Sequence, residues 1–272
     1  MSTSPKNTSA LCKLQVGQQD IAYKVRGNGP PIVLVCTLSG SWANQVRALS
    51  EKYTVITYDM RNFGDSRVEN IPYPSNEEHA DDLLELICHL KLEKPLIIGL
   101  SHGGIILQHF GRKHQDSACG LVFVSTLAKP VGQTKLILSL LNDFLDDHDG
   151  GRFWKVLRTF LFSEARYDGF VAREKALRRL MFNQFTTNCL SNIYSGALRH
   201  DATSWLGGVS VRSLVIGGNE DVLFPPSQTR LLSSLLGNAK MKLMNVAHLP
   251  PIEDPCAFNE IVDSFYSELL HA

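Results

Sequence analysis

The segment PLIIGLSHGG, residues 95–104, joins a short apolar run to a serine that has glycines close on both sides. The apolar run predicts a buried strand over residues 95–100, and the residues from 103 to 114 predict a helix. Ser101 therefore lies on a sharp strand-to-helix turn, where glycines remove the Cβ atoms that would otherwise collide. A serine in this position projects its hydroxyl from the edge of a sheet, as a nucleophile must.

Apolar runs typical of strands recur on both sides of this segment. They lie at residues 14–16, 21–25, 31–36, 53–58, 120–125, 211–216 and 239–246. Helical patterns separate most of them, and such alternation produces right-handed crossovers between parallel strands. We predict an α/β fold whose mostly parallel, eight-stranded sheet carries helices on both faces.

The alternation stops after residue 125 and resumes at residue 211. Helical patterns at 135–145, 153–162 and 173–185 fill the interval, so we predict an α/β core of residues 11–126 and 206–272 with an inserted helical cap of residues 127–205. The cap is rich in Leu and Phe, which favours an apolar binding pocket beneath it. We expect substrate contacts from five of its side chains, Leu136, Leu140, Phe144, Trp154 and Phe160.

The charge balance points to a small-molecule partner. Lys and Arg number 27, as do Asp and Glu, so no net field attracts nucleic acid or an anionic membrane. No segment has the roughly 20 apolar residues of a membrane span or the apolar stretch of a signal peptide. The six cysteines are scattered without CxxC pairs, which argues against a zinc site or a disulfide framework. We expect reduced, mostly buried thiols in a cytoplasmic protein with no metal and no cofactor; a homodimer is left open.

A serine hydroxyl needs a base and an acid that orients the base. His248 follows the last predicted strand, and Asp221 follows the strand before it, in the segment GGNEDVLFP of residues 217–225. Both lie at the carboxyl ends of parallel strands, the end from which Ser101 also emerges. Glu220 competes for the acid role, but the spacing of Asp221 from Gly218 and Pro225 favours Asp221.

Further segments carry a resemblance to a known family. The turn YDMRNFGDS at 58–66, the helical segment ADDLL at 80–84 and EDP at 253–255 accompany the serine turn and the order Ser, Asp, His. In these features the chain resembles the α/β-hydrolase superfamily over about residues 12–270. Its capped branch includes esterases, enol-lactonases, C–C bond hydrolases and thioesterases.

The resemblance implies an acyl-enzyme on Ser101, with the backbone N–H groups of Leu38 and His102 forming an oxyanion hole. It also implies mainly structural roles for Asp59 and Arg61. For the side chain of His102, contact with substrate and simple packing at the turn are both open.

Two positions depart from the family pattern. Cys36-Thr37 stands where the family usually has His-Gly, and Asn62 replaces a turn glycine. We expect hydrolysis of an ester, thioester or lactone of an apolar small molecule. Two alternatives stay open, namely acyl transfer, cyclisation or C–C cleavage by the same three residues, and a small-molecule receptor on a hydrolase fold. An intact set of nucleophile, acid and base argues against the receptor.

Overall fold

The computed structural model describes residues 8–37, 39–67, 72–171, 174–175, 178 and 187–271. The strands in these ranges are β1 (Thr8–Val16), β2 (Gln19–Arg26), β3 (Pro31–Val35), β4 (Thr54–Tyr58), β5 (Leu96–Leu100), β6 (Gly120–Val124), β7 (Ser213–Gly218) and β8 (Ala239–Met244). They form an eight-stranded sheet in the order β1-β2-β4-β3-β5-β6-β7-β8. Strand β2 pairs antiparallel with β1 and β4, and the other neighbours pair parallel, which confirms the predicted mostly parallel sheet.

The central strands are buried on both faces. Every residue of β5, β6 and β7 is buried, as their continuous apolar sequences predict for strands covered by helices on both sides. Strand β8 lies at the edge, and it exposes Lys240 and Lys242, which discourage pairing with another chain. The carboxyl ends of β3, β5, β7 and β8 all lie on the same side of the sheet, at the ends of the strands, because these strands are parallel.

Helices cover the two faces of the sheet. The first face packs against α2 (Asn76–His89) and α3 (His102–His114), and the second against α1 (Ala43–Leu49) and a long helix near the C-terminus, Pro255–Leu270. Side chains of β3 alternate between the faces, since Val33 and Val35 join the first core cluster while Ile32 and Leu34 join the second.

Four described helices lie between β6 and β7, where the sequence predicts an insertion. They are α4 (Gly132–Asp146), α5 (Gly150–Leu161), α6 (Glu164–Val171) and α7 (Thr187–Arg199). The remaining helices are α8 (Pro226–Leu235), the short α9 (Pro250–Glu253) and α10 (Pro255–Leu270). The predicted helix at 173–185 falls almost wholly outside the described residues, and the division into core and cap stays a prediction. Within the described ranges, no helix has the length and hydropathy to cross a membrane.

The exposure of the cysteines corrects one expectation. All six lie in described ranges and none forms a disulfide, but Cys36 is the one that is buried, whereas Cys88 and Cys256 are exposed. The prediction of mostly buried thiols is therefore wrong. Apolar neighbours in sequence do not imply burial on a helix, because consecutive residues point to different sides.

Candidate active site

Ser101 occupies a strained turn between β5 and α3. Its φ of 55° and ψ of −115° lie in a region that residues with a side chain rarely adopt. A Cβ on Gly99 would lie 2.5 Å from the carbonyl oxygen of Gly103, and a Cβ on Gly103 would lie 2.3 Å from that of Val35. The two glycines are therefore required for the chain to turn this sharply.

Neighbouring strands hold the backbone of this turn. The N–H of Ser101 donates to the carbonyl oxygen of Val124 at the end of β6, at 2.9 Å. The carbonyl oxygen of Ser101 accepts from the N–H of Gly104 at 2.9 Å, which begins the hydrogen bonding of α3. The direction of the serine hydroxyl is thus fixed by β5, β6 and α3 together.

His248 and Asp221 meet Ser101 at this edge of the sheet. His248 Nε2 lies 3.1 Å from Ser101 Oγ, and His248 Nδ1 lies 2.9 Å from Asp221 Oδ2. A carboxylate only accepts, so Nδ1–H donates to Asp221, and Nε2 is then the acceptor for the serine hydroxyl. The Phe224 ring packs edge-on against the imidazole, with centroids 5.1 Å apart. The arrangement allows proton transfer from Ser101 to His248.

Asp221, rather than Glu220, is the acid that contacts His248. The Asp221 side chain is buried, and its Oδ1 accepts from the N–H of Phe224 at 2.8 Å while Oδ2 faces the imidazole. Glu220 is exposed to solvent. Each carboxylate oxygen of Asp221 therefore has one donor, and the acid holds the ring of His248 in one orientation.

The side chain of His102 is directed toward α2. It is buried, and its Nε2–H donates to Asn76 Oδ1 at 2.8 Å. Burial, together with the nearby His200 and His109, lowers the pKa of His102 to about 3, so the imidazole is neutral. A capping box of Ser75 and Glu78 fixes the start of α2, which carries Asn76.

The predicted oxyanion hole is only half within the described residues. His102 is the first residue of α3, and the N–H groups of a helix N-terminus lack intrahelical acceptors. Leu38, the other predicted donor, lies outside the described residues. The two-donor oxyanion hole therefore stays a prediction.

A cavity adjoins Ser101, His102 and His248. Helices α4, α5 and α7 line it with Leu138, Phe153, Leu157, Leu161, Leu190, Ile193, Tyr194 and Ala197. The sheet side contributes Cys36, Thr37, Ser41, Leu100, Ile105, Leu223, Phe224 and Leu249. Among the described residues, the lining includes no Lys, Arg, Asp or Glu. Such a lining suits an uncharged, largely apolar ligand.

The five predicted substrate contacts do not line this cavity. Leu136 is 72% exposed and Leu140 is 45% exposed, so both face away from the core. Trp154 is buried and donates from Nε1 to Glu174 at 3.0 Å, while Phe144 and Phe160 are half-buried against the core cluster. The sequence has leucine or isoleucine at 136, 137, 138, 140 and 141. An apolar pattern that surrounds the helix does not reveal which side faces the pocket.

Asp59 and Arg61, to which the resemblance assigns structural roles, do not line the cavity. Asp59 Oδ2 accepts from the N–H of Asp65 at 3.0 Å, and Arg61 Nε donates to Asp82 Oδ2 at 2.6 Å. The first contact lies within the turn after β4, and the second holds that turn against α2. In the described part of the chain, no group of three or more His, Cys, Asp or Glu side chains is placed to hold a metal ion.

Sequence reasoning missed Glu253 as part of the site. Its buried carboxylate accepts from the N–H of Ala247, next to His248, at 2.8 Å. The sequence signal was an acid in the apolar segment HLPPIE that follows the histidine. That signal does not identify the two donors, because both are backbone groups, the N–H of Ala247 and the N–H of Ser163.

Comparison with known proteins identifies the class. A family model described as the alpha/beta hydrolase fold matches residues 30–255. The chain therefore belongs to the α/β-hydrolase family, and it is a hydrolase by class.

Individual relatives agree with this assignment. RutD of Agrobacterium fabrum, a protein named for carbamate hydrolysis, is 29% identical over an alignment of 248 positions that covers 88% of this chain and 94% of that protein. MGS-M2, an α/β hydrolase enzyme from a deep-sea metagenome library of the Medee basin, is similar with a TM-score of 0.85 at 23% identity, covering 94% of this chain and 97% of that one. The enol-lactonase of Burkholderia xenovorans LB400 is similar with a TM-score of 0.84 at 24% identity, covering 94% of this chain and all of that one. At these identities the two structures establish the fold alone.

Proposed function

We propose that the chain is a serine hydrolase that cleaves the acyl bond of a small, neutral, apolar substrate through an acyl-enzyme on Ser101. The observation that carries the proposal is the line of contacts from Ser101 Oγ through His248 to Asp221, at 3.1 and 2.9 Å, beside an apolar cavity. A nucleophile, a base and an orienting acid within hydrogen-bond reach are the parts that acyl transfer to serine needs.

The steps follow from the donors and acceptors. His248 Nε2 takes the hydroxyl proton while Ser101 Oγ bonds to the substrate carbonyl carbon, and Asp221 stabilises the imidazolium that forms. The carbonyl oxygen becomes an oxyanion near the N–H of His102, with Leu38 as the second expected donor. The imidazolium then gives its proton to the leaving group, and the carbonyl re-forms as the acyl-enzyme. Water attacks this ester with His248 as base, which releases the acid and restores the serine.

The lining of the cavity supports the substrate class. A charged acyl chain would lose its hydration without gaining a counter-ion, because the described lining offers none. Esters, thioesters and lactones of apolar acids fit this environment. Carbamates join them because the Agrobacterium relative is named for carbamate hydrolysis, and a carbamate carbonyl also carries a heteroatom leaving group.

A second use of the same residues remains in the proposal because of Cys36 and Thr37. Both line the cavity where the family usually has His-Gly, and Cys36 is buried. A changed loop beside the nucleophile favours acyl transfer or cyclisation over hydrolysis if it excludes water from the acyl-enzyme. C–C cleavage would still need water to release the acid, and it stays an alternative for the same three residues. A receptor without catalysis is disfavoured, since binding alone does not need His248 oriented toward a serine hydroxyl.

The test is active-site labelling followed by a substrate series. A fluorophosphonate should label the wild-type protein and leave Ser101→Ala unlabelled, and that variant should lose about a thousandfold or more in kcat with little change in Tm. Nitrophenyl esters and acyl thioesters of increasing chain length, a lactone and an aryl carbamate then define the acyl bond. Labelling that persists in Ser101→Ala would assign the nucleophile elsewhere.

A further inference from the structure

Glu253 places a buried carboxylate between two separate backbone segments. It lies at the end of α9, and the residue is 8% exposed. Oε1 accepts from the N–H of Ala247 at 2.8 Å, and Oε2 accepts from the N–H of Ser163 at 2.8 Å. The carboxylate is therefore held by two backbone donors, one for each oxygen.

The two donors belong to different parts of the molecule. Ala247 immediately precedes His248, in the loop after β8. Ser163 lies between α5 and α6, and α5 lines the cavity with Phe153 and Leu157. One side chain thus joins the loop that carries the proposed base to the helices that shape the substrate cavity.

A second residue strengthens the same junction through other atoms. Arg166 in α6 donates from Nε to the carbonyl oxygen of Glu253 at 2.6 Å and from Nη1 to that of Asn245 at 3.3 Å. Its Nη2 lies 3.4 Å from Asp254 Oδ2. These bonds hold α6 against the turn, but none of them uses the carboxylate of Glu253.

The carboxylate is suited to this place for a physical reason. N–H bonds to an ionised acceptor are roughly twice as strong as neutral ones, and a buried N–H left without an acceptor costs about 1–3 kcal/mol. Glutamine keeps the shape of the side chain but has one oxygen, so its NH₂ group would face either Ala247 N–H or Ser163 N–H. One of the two segments must then move.

We infer that Glu253 is a positioning residue that couples the position of α5 and α6 to the orientation of His248. The inference rests on the proposed function, in which His248 is the base. The effect of Glu253 on the reaction is indirect, because its carboxylate contacts the backbone beside His248 and does not touch the cavity. A shift of about 1 Å in a catalytic group can cost on the order of a hundredfold in rate, so a small movement of this loop has a large effect.

The first experiment compares Glu253→Gln with Glu164→Gln, the same change at an exposed carboxylate of α6. The rate constant for fluorophosphonate labelling of Ser101 is measured well below each Tm, with kcat and KM for a short nitrophenyl ester. We expect Glu253→Gln to slow labelling and kcat by about tenfold to a hundredfold while KM changes by less than about threefold. Glu164→Gln should leave Tm nearly unchanged and keep both rates within about threefold, because its side chain is exposed. A lower Tm with unchanged rates in Glu253→Gln would mean that the residue only supports the fold, and would overturn the inference.

A second variant isolates the link to the helices. Ser163→Pro removes the N–H that reaches Oε2 and puts the proline Cδ in its place, so the carboxylate of Glu253 must move away from residue 163. The extended Phe162 before it, with φ −128° and ψ 146°, is compatible with a following proline. If Glu253 couples the helices to His248, Ser163→Pro also slows labelling of Ser101 by at least about threefold, although the two residues are far apart in the sequence. Unchanged labelling in Ser163→Pro would restrict Glu253 to the loop of His248 and overturn the coupling. This variant decides the question alone if Glu253→Gln fails to fold.

The outcome for the wild type separates this inference from the proposed function. Absence of labelling in the wild-type protein refutes the proposed function itself. Labelling of the wild type at a rate equal to that of folded Glu253→Gln and Ser163→Pro refutes the positioning role alone.

Discussion

Replacing Asp221 by asparagine tests the proposed orientation of His248 most directly. In the native site Oδ1 accepts from Phe224 N–H, and Oδ2 accepts from His248 Nδ1–H. Asparagine has one oxygen, and if the oxygen stays with Phe224, the amide NH₂ faces Nδ1. The histidine then adopts the tautomer with its proton on Nε2, which cannot accept from Ser101.

The magnitude follows from two contributions. Turning the amide over to restore the tautomer leaves the buried Phe224 N–H unsatisfied, at a cost of about 1–3 kcal/mol. Asparagine carries no negative charge, so the imidazolium of His248 loses its hydrogen bond to an ionised acceptor, which is worth about 1.5–3 kcal/mol. The sum is about 2.5–6 kcal/mol, which at about 1.36 kcal/mol per factor of ten lowers kcat by roughly a hundredfold to ten-thousandfold.

The assay is steady-state hydrolysis of the preferred ester, with Tm as a check on folding. We expect KM to change little, because Asp221 does not line the cavity. Glu220→Gln is the matched control, and its exposed side chain should leave kcat within about threefold. A loss below tenfold in Asp221→Asn, or a greater loss in Glu220→Gln, would refute the assignment of the acid.

Three other predictions concern the turn and the cavity. Gly103→Ala should lower the free energy of unfolding by about 1–3 kcal/mol in chemical denaturation, because its Cβ would lie 2.3 Å from the carbonyl oxygen of Val35. Gly196→Ala, where a Cβ meets nothing within 4 Å on α7, should be neutral or stabilising, and equal losses in both would contradict the packing argument. Leu157→Phe should lower the kcat/KM ratio of long to short acyl esters by about tenfold, whereas Leu136→Phe, on a side chain that is 72% exposed, should leave that ratio unchanged. An acyl chain that ends in a carboxylate should react at least about tenfold more slowly than its methyl ester; similar kcat/KM values would mean that a cation reaches the cavity.

The sequence was sufficient for the mostly parallel sheet and for the proximity of three residues at the carboxyl ends of its strands, whose catalytic roles are a proposal. Strands such as β5 are buried on both faces, so their apolar runs are unbroken, and the residues after parallel strands necessarily emerge at one edge. That rule brought together Ser101, Asp221 and His248 without knowledge of any contact.

The cavity contacts were not predictable in the same way. Helix α4 carries leucine or isoleucine on several sides, and burial of Leu138 rather than Leu136 depends on how the helix packs, which no local pattern records. The role of Glu253 was hidden for a different reason. Its donors are backbone N–H groups, one of them on Ser163, and every residue except proline has such a group.

The placement of the helical segment has a consequence for how such a protein can diversify. The connection from β6 to β7 carries α4–α7, whereas the residues of the proposed triad follow β5, β7 and β8. The helices of this connection are therefore near the triad in space but are not its neighbours in the chain. Different helical sequences can therefore replace this connection and change the preference for acyl groups, while the positions of the reacting atoms stay the same. The bond from this segment to Glu253 imposes almost no sequence requirement, because a main-chain donor at position 163 satisfies it. A graft of foreign helices keeps this bond to Glu253 as long as the residue at position 163 is not proline.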